Sequence, residues 1–97
     1  VMFGLGGIFT EVLADAVFRR APLDPADAAD MLEEIRGRRL LTAVRGLPAA
    51  DRGALAAMLV ALGEIGRDHG AIAEIDLNPV ILAGARPVVA DALIVLS

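Results

Sequence analysis

Residues 71–96 read AIAEIDLNPVILAGARPVVADALIVL, and this stretch decides the fold class. Two β-rich runs, residues 71–82 and 87–96, flank a short turn around Gly84, which predicts an antiparallel hairpin. Side chains on a strand alternate between its two faces. In the first run the odd positions are apolar, whereas the even positions 74, 76 and 78 carry carboxylate or amide oxygens. One face is therefore predicted to pack on a core and the other to present oxygen atoms.

The turn determines which residues of the two arms oppose each other. If residues 83–86 form the turn and Leu82 pairs with Pro87, the register places Asn78 opposite Asp91. Directly opposed residues share a face, with Cβ atoms about 4.5–5.5 Å apart. Asp91 is thus predicted to point into the same space as Asn78 and Asp76.

Such a cluster is suited to a hard divalent cation. Mg²⁺ in particular is held by one or two carboxylates together with substrate phosphates. Alternating polar residues on a strand more often form a solvated face, but this face carries no Ser, Thr or basic side chain, and Asp and Asn are poor strand formers. The pattern alone leaves both interpretations open.

The opening of the chain is predicted to contain a second hairpin. Residues 8–13 and 16–20 read as two short strands around Ala14-Asp15. The preceding Gly4-Leu5-Gly6-Gly7 does not continue into a dinucleotide-binding motif, since the required third glycine is replaced by Phe9 and no strand–helix–strand unit follows. A tight turn or a phosphate-contacting loop both fit this segment.

Two helices are predicted between the hairpins. Asp24-Pro25 is a typical helix start, and Gly37 is the predicted stop. The second helix is predicted from about residue 50 to 68, with Gly70 placed to end it. The buried face of the first helix is predicted at helical spacing: Ala28, Met31, Leu32 and Ile35. That of the second is predicted at Leu55, Leu59, Leu62 and Ile65.

The order β-β-α-α-β-β has no strand–helix–strand alternation. It predicts an α+β fold with an antiparallel sheet of about four strands and two helices. With 97 residues, 57% hydrophobic but only 3% aromatic, the chain is one domain or part of one, with an aliphatic core.

Composition excludes several function classes. The chain has no cysteine, so a disulfide framework, a zinc–thiolate site and a thiol nucleophile are excluded. All nine basic residues are arginine. A phosphate-binding P-loop is therefore excluded, because it needs a lysine. The longest charge-free stretches, residues 1–10 and 53–63, are shorter than the roughly 20 apolar residues that cross a bilayer. A net charge of −4 without a basic patch disfavours a nucleic-acid partner.

Three blocks together resemble one known family. Glu74-Ile75-Asp76-Leu77-Asn78-Pro79, followed by Asp91, resembles the close of the ATP-grasp domain of ADP-forming acetyl-CoA synthetases and of the related succinyl-CoA synthetase β subunit. Residues 3–13 are similar to the family's glycine-rich hairpin, and residues 40–48 to its leucine–Arg-Gly-x-Pro linker. The resemblance spans essentially the whole chain.

The resemblance implies that residues 1–97 are the C-terminal subdomain of an ATP-grasp domain, a fragment of a larger protein. Such enzymes interconvert acyl-CoA, ADP and phosphate with a carboxylic acid, CoA and ATP through a phosphohistidine. The implied cofactors are Mg²⁺ and ATP or ADP. The implied partners are the nucleotide, the remaining ATP-grasp lobe and the CoA-binding and ligase domains or subunit, in the cytoplasm. The fragment alone is expected to be inactive.

Carried over by position, the resemblance assigns residues to roles. The expected metal ligands are Asn78, Asp91 and, as a third contributor, Asp76. The expected nucleotide- or phosphate-side residues are Glu11, Arg19 and Arg45. A loop arginine such as Arg45 is more often a structural ion-pair partner, here with Asp51. His69 matches no family motif position and is interpreted as a helix-end residue, not as the phosphoryl acceptor.

Two alternatives to an enzyme lobe remain open from sequence. Some protein lysine acetyltransferases carry a regulatory region that resembles these synthetases. A non-catalytic interaction half-domain, forming homo-oligomers through exposed apolar surface, is the other.

Overall fold

A computed structural model of the chain describes residues 1–4, 15–36, 41–42 and 48–97. In chain order, two strands precede the helices and four follow them, and all strand pairs in the described part are antiparallel. The elements in this part are β1 (Met2–Gly4), β2 (Ala16–Phe18), α1 (Pro25–Glu34), α2 (Arg52–Asp68), β3 (Ile72–Leu77), β4 (Val80–Ala83), β5 (Arg86–Val89) and β6 (Ala92–Leu96). The predicted α+β class is confirmed.

Helix α1 begins as predicted. The Asp24 side chain accepts a hydrogen bond from the Asp27 backbone N–H, and the Asp27 side chain accepts one from the Asp24 N–H, which forms a capping box around Pro25. The helix ends at Glu34, because the next residue, Ile35, already has extended backbone. The predicted stop, Gly37, lies outside the described residues.

Helix α2 is capped by Asp51, whose side chain accepts a hydrogen bond from the Ala54 N–H at 2.9 Å. Two of its predicted core residues, Leu55 and Leu59, are buried. The prediction for Ile65 is wrong: its side chain is 42% exposed. The apolar stripe thus loses its cover toward the C-terminal end of the helix.

The core lies between the two helices and the ribbon formed by β1 and β2. Among the described residues its buried members are Leu23, Ala28, Met31, Leu32, Ile35, Leu41, Ala50, Leu55 and Leu59. The predicted stripe of α1 is confirmed, since all four of its residues belong to this set. Ion pairs join α1 to its neighbours: Glu33 pairs with Arg52, and Glu34 with Arg19.

The ribbon at the start of the chain differs from the expected hairpin. Strand β2 falls within the predicted residues 16–20, but its partner in the described part is β1, with Met2 opposite Phe18. The predicted partner, residues 8–13, lies outside the described residues. Gly4 is required in β1, because a Cβ there would lie 2.8 Å from the Asp15 carbonyl oxygen.

Strands β3 to β6 form one long hairpin, residues 72–96. Its arms are each divided in two, because Asn78-Pro79 in one arm and Ala90-Asp91 in the other stand outside the strands, and a proline has no N–H to donate to the ladder. The turn is shorter than expected: Ala83 pairs with Arg86, which leaves Gly84, at φ 64°, and Ala85. We refer to β1, β2, α1 and α2 as the packed body and to residues 72–96 as the hairpin.

Candidate functional site

The hairpin brings Asn78 opposite Asp91. The Asn78 backbone N–H donates to the Asp91 carbonyl oxygen at 3.1 Å. On either side of this point the arms are paired in the predicted register, with Leu77 opposite Ala92 and Val80 opposite Val89. The predicted register around the candidate site is therefore confirmed.

The surroundings of the pair are open to solvent. Asn78 and Asp91 are both exposed, as is Asp76 two residues before Asn78. One oxygen of the Asp91 carboxylate, Oδ1, accepts a hydrogen bond from the Ala92 N–H at 2.9 Å. This bond turns the Asp91 side chain toward the backbone of the next residue.

The register also shows what the sequence interpretation did not include. Asp76 lies opposite Leu93, and Glu74 lies opposite Val95. Since directly opposed residues share a face, the acidic face of β3 continues into apolar side chains on β6. Leu93 is 61% exposed. Strand β6 therefore adds no oxygen-bearing side chain to this face, and the second arm contributes only Asp91, at the interruption.

The donor set suits a cation that keeps other ligands. Within the described ranges, no three His, Cys, Asp or Glu side chains come together to hold a metal ion. The candidate set consists of two carboxylates and an amide, from Asp76, Asp91 and Asn78. Mg²⁺ characteristically takes one or two protein carboxylates and completes its shell with water and phosphate oxygens. The set fits such an ion, and its assignment as the metal site stays a prediction.

The nucleotide-side residues are only partly described. The Arg19 guanidinium donates to the Phe18 carbonyl oxygen at 2.8 Å and pairs with the Glu34 carboxylate. Glu11 and Arg45 lie outside the described residues. His69, interpreted from the sequence as a helix-end residue, is the exposed C-cap residue of α2.

Sequence reasoning did not single out Asp15 as a buried acid. Its side chain is 6% exposed, and its Oδ1 accepts a hydrogen bond from the Arg36 N–H at 2.7 Å. The contact ties the start of β2 to the end of α1. The available signal was an acidic residue directly before an apolar strand.

Comparison with known proteins identifies the family. The sequence model of a protein family described as an ATP-grasp domain matches residues 1–96. The chain belongs to the ATP-grasp family. It is 41% identical over 96 residues to the β subunit of acetate–CoA ligase [ADP-forming] I of Pyrococcus furiosus, with 99% of this chain and 41% of that subunit covered. It is 46% identical over 94 residues to acetate–CoA ligase [ADP-forming] II of Archaeoglobus fulgidus, covering 97% of this chain and 14% of that protein.

A solved structure shows the same fold. It is dinucleotide forming acetyl-coenzyme A synthetase 1 of Ca. Korarchaeum cryptofilum, at 45% identity and a TM-score of 0.91, covering 99% of this chain and 45% of that one. That protein is in complex with coenzyme A and Mg-AMPPCP, with its phosphohistidine segment pointing towards the nucleotide binding site. The chain thus spans less than half of the length of each of these relatives. In the part of the chain that is described, no helix combines the length and apolarity needed to cross a membrane.

Proposed function

We propose that this chain is the Mg²⁺-binding, C-terminal lobe of the ATP-grasp domain of an ADP-forming acyl-CoA synthetase. The parent enzyme would interconvert acyl-CoA, ADP and phosphate with a carboxylic acid, CoA and ATP in the cytoplasm. The observation that supports this lobe most directly is the pairing of Asn78 with Asp91 in the hairpin of an ATP-grasp chain. The named relatives favour a ligase over a regulatory region of an acetyltransferase.

Asn78 and Asp91 would hold the ion, with Asp76 as a third contributor. When bound, Mg²⁺ supplies positive charge that neutralises nucleotide phosphate oxygens during phosphoryl transfer. The chain's own residues position that charge: the backbone hydrogen bond between residues 78 and 91 fixes the distance between the arms, and the Ala92 N–H orients the Asp91 carboxylate. The nucleotide-side roles of Glu11, Arg19 and Arg45 belong to the same proposal.

The test uses the full-length parent and measures phosphate release that depends on acid, CoA and ATP. Asn78→Ala and Asp91→Ala are expected to lower kcat by about 10²-fold or more. A bound metal ion stabilises the charge of the transition state by several kcal/mol, and each variant would lose part of that stabilisation. Both variants should also need more Mg²⁺ for half-maximal rate. Glu64→Ala, at an exposed acidic position on α2, is the matched control and should leave both quantities unchanged.

Normal turnover and normal Mg²⁺ dependence in both hairpin variants would refute the site assignment. The isolated chain is expected neither to hydrolyse ATP nor to bind it tightly, because the remaining ATP-grasp lobe is not part of this chain. Calorimetric titration would contradict that expectation by showing micromolar, Mg²⁺-dependent binding.

A further inference from the structure

Helix α2 holds the hairpin at both of its ends. Where the hairpin leaves the helix, the Ile72 N–H donates to the carbonyl oxygen of His69, the C-cap residue, at 3.0 Å. At the turn of the hairpin, the Ala85 carbonyl oxygen accepts a hydrogen bond of 2.8 Å from the N–H of Asp51, the N-cap residue. In the described part of the chain, these are the backbone hydrogen bonds that join the hairpin to the packed body.

The two attachment points are closer together than a straight arm of the hairpin is long. A helix rises about 1.5 Å per residue, so residues 51 and 69 lie about 27 Å apart along α2. A strand rises about 3.3 Å per residue, so a straight arm from residue 72 to residue 85 would span about 43 Å. The hairpin therefore bends away from α2 between its attached ends.

The bend coincides with the proposed metal site. A cavity of about 760 Å³ lies between α2 and the hairpin, and Asn78 and Pro79 border it on the hairpin side. These two residues, and Ala90-Asp91 in the other arm, stand outside the strands. A two-stranded ribbon bends where its ladder is disrupted. The proposed ligands Asn78 and Asp91 are therefore placed where the hairpin bends.

The hydrogen-bond donor at the turn is fixed by the core. The Ala50 N–H donates to the Leu41 carbonyl oxygen at 2.9 Å, and both residues are buried. Asp51 follows directly, and its carboxylate caps α2. From the turn, four regular residue pairs of β4 and β5 lead to the bend. A displacement of the turn would therefore be transmitted to the bend.

We propose that the backbone N–H of Asp51 is a positioning group for the proposed metal site. By holding the turn at the start of α2, it keeps the hairpin bent, and the bend fixes where Asn78 and Asp91 lie relative to the helix. The proposal rests on the assignment of these two residues as metal ligands in the proposed function. It adds a group that acts through the hairpin and is not itself a ligand.

Two substitutions at position 51 separate the role of the N–H from that of the side chain. Asp51→Ala keeps the backbone N–H but loses the carboxylate that caps α2. Asp51→Pro loses both, and proline fits this position because residue 51 has φ −73°, close to the value that the proline ring imposes. The difference between the two variants therefore reports the N–H.

Hydrogen exchange in the full-length parent, without Mg²⁺ or nucleotide, tests the attachment. The readout is the Asn78 and Ala90 amides, which bond across the bend to the carbonyl oxygens of Asp91 and Pro79. They should exchange at least about tenfold faster in Asp51→Pro than in Asp51→Ala, because a two-stranded ribbon without an anchor opens more often. Equal rates would overturn the proposal, since the hairpin would then keep its place without this bond.

The Mg²⁺ concentration that gives half-maximal rate tests the positioning. It should be about tenfold higher in Asp51→Pro than in Asp51→Ala, because small displacements of positioned groups are costly. A purely structural defect would lower the maximal rate through loss of active enzyme but would leave this concentration unchanged.

The ligand variants distinguish two kinds of failure. If both variants at position 51 need the same Mg²⁺ concentration while Asn78→Ala needs more than the wild type, only the positioning role is overturned. If Asn78→Ala and Asp91→Ala also keep the wild-type requirement, the metal site fails, and the positioning role fails with it.

A second variant decides the question if Asp51→Pro does not fold. One glycine inserted between Gly84 and Ala85 moves the acceptor instead of the donor and leaves α2 and its cap intact. It lengthens the turn to three residues, a common length for hairpins. Both measurements should then rise about tenfold over the wild type, and wild-type values in either one would overturn the proposal.

Discussion

The packed body and the hairpin use similar apolar residues with opposite results. In the body, Met31 and Ile35 are fully buried. In the hairpin every residue is at least partly exposed, and Ile94 is 55% exposed. Strand β6, with the sequence ALIVL, is exposed along its whole length. Near-continuous hydrophobic runs are typical of strands that are covered on both faces. Among the described residues the hairpin thus keeps an uncovered apolar strand, while the body forms its own core.

Truncation of a core side chain should produce the largest effect on this comparison. Met31→Ala removes a fully buried side chain of α1, and we expect the free energy of unfolding to fall by about 2–5 kcal/mol. Ile94→Ala removes a mostly exposed side chain of β6 and should change it by no more than about 0.5 kcal/mol. Urea denaturation followed by circular dichroism measures both. Equal losses would mean that the hairpin is as tightly integrated as the body.

The same pair of variants sharpens the comparison in the full-length parent. If the remainder of the ATP-grasp domain covers β6, Ile94→Ala should become destabilising there, while the effect of Met31→Ala should stay similar. An Ile94→Ala parent as stable as the wild type would show that this face of the hairpin remains uncovered.

A buried acid in the body is compared with an exposed acid in the hairpin. Asp15→Ala removes the acceptor of the Arg36 N–H and should destabilise the chain by about 1 kcal/mol, because a part-buried hydrogen bond is lost. Asp15→Asn keeps an oxygen at the same place and should have a smaller effect. Asp76→Ala, at an exposed position, should leave the urea midpoint unchanged. An equal effect of Asp15→Ala and Asp76→Ala would contradict the structural role of Asp15.

The turn of the hairpin should be sensitive to backbone conformation. Gly84 adopts φ 64°, so Gly84→Ala is expected to destabilise the turn by roughly 1–2 kcal/mol. Gly70→Ala is the control, since a Cβ at Gly70 meets nothing within 4 Å. Amide exchange at Asp51, whose N–H bonds to the turn, is the readout. It should accelerate only in Gly84→Ala, and unchanged exchange would show that the turn is not strained by a side chain.

Local sequence patterns predicted the elements whose partners lie nearby in the chain. The N-cap at Asp24 and the stripe of α1 follow from side chains within one helix. The register that pairs Asn78 with Asp91 follows from a turn only a few residues away. Each of these depends on contacts within roughly 15 residues, and short-range patterns specify such contacts well.

The features that were missed lack a local pattern or depend on absent partners. Strand β1 lies in an apolar, glycine-rich segment without alternation, so no pattern marked it as a strand, although its partner β2 begins only twelve residues after it ends. Ile65 was predicted to be buried because it continues the stripe of α2, but no neighbour covers that end of the helix in the described part. Leu93 beside Asp76 required the register to be followed into β6. The proposed metal site would depend on an ion and phosphates that a single chain's sequence does not encode.

The smallest expected effect lies at the junction of the body and the hairpin, in the last turn of α2. The Arg67 guanidinium donates to both carboxylate oxygens of Asp68, at 2.8 and 3.4 Å, and this hydrogen bonding lowers the pKa of Asp68 below its ordinary value. A lowered pKa means that the pair stabilises the folded chain above the ordinary carboxyl pKa and that this contribution disappears as the pH falls through the folded value. Both side chains are more than half exposed, so solvent screens the pair.

In Arg67→Ala, an NMR titration should show the pKa of Asp68 shifted upward, while urea unfolding at neutral pH stays unchanged. A clear loss of stability would instead show that this pair holds the hairpin to the body, a role that the structure gives to the backbone hydrogen bonds at Ile72 and Ala85.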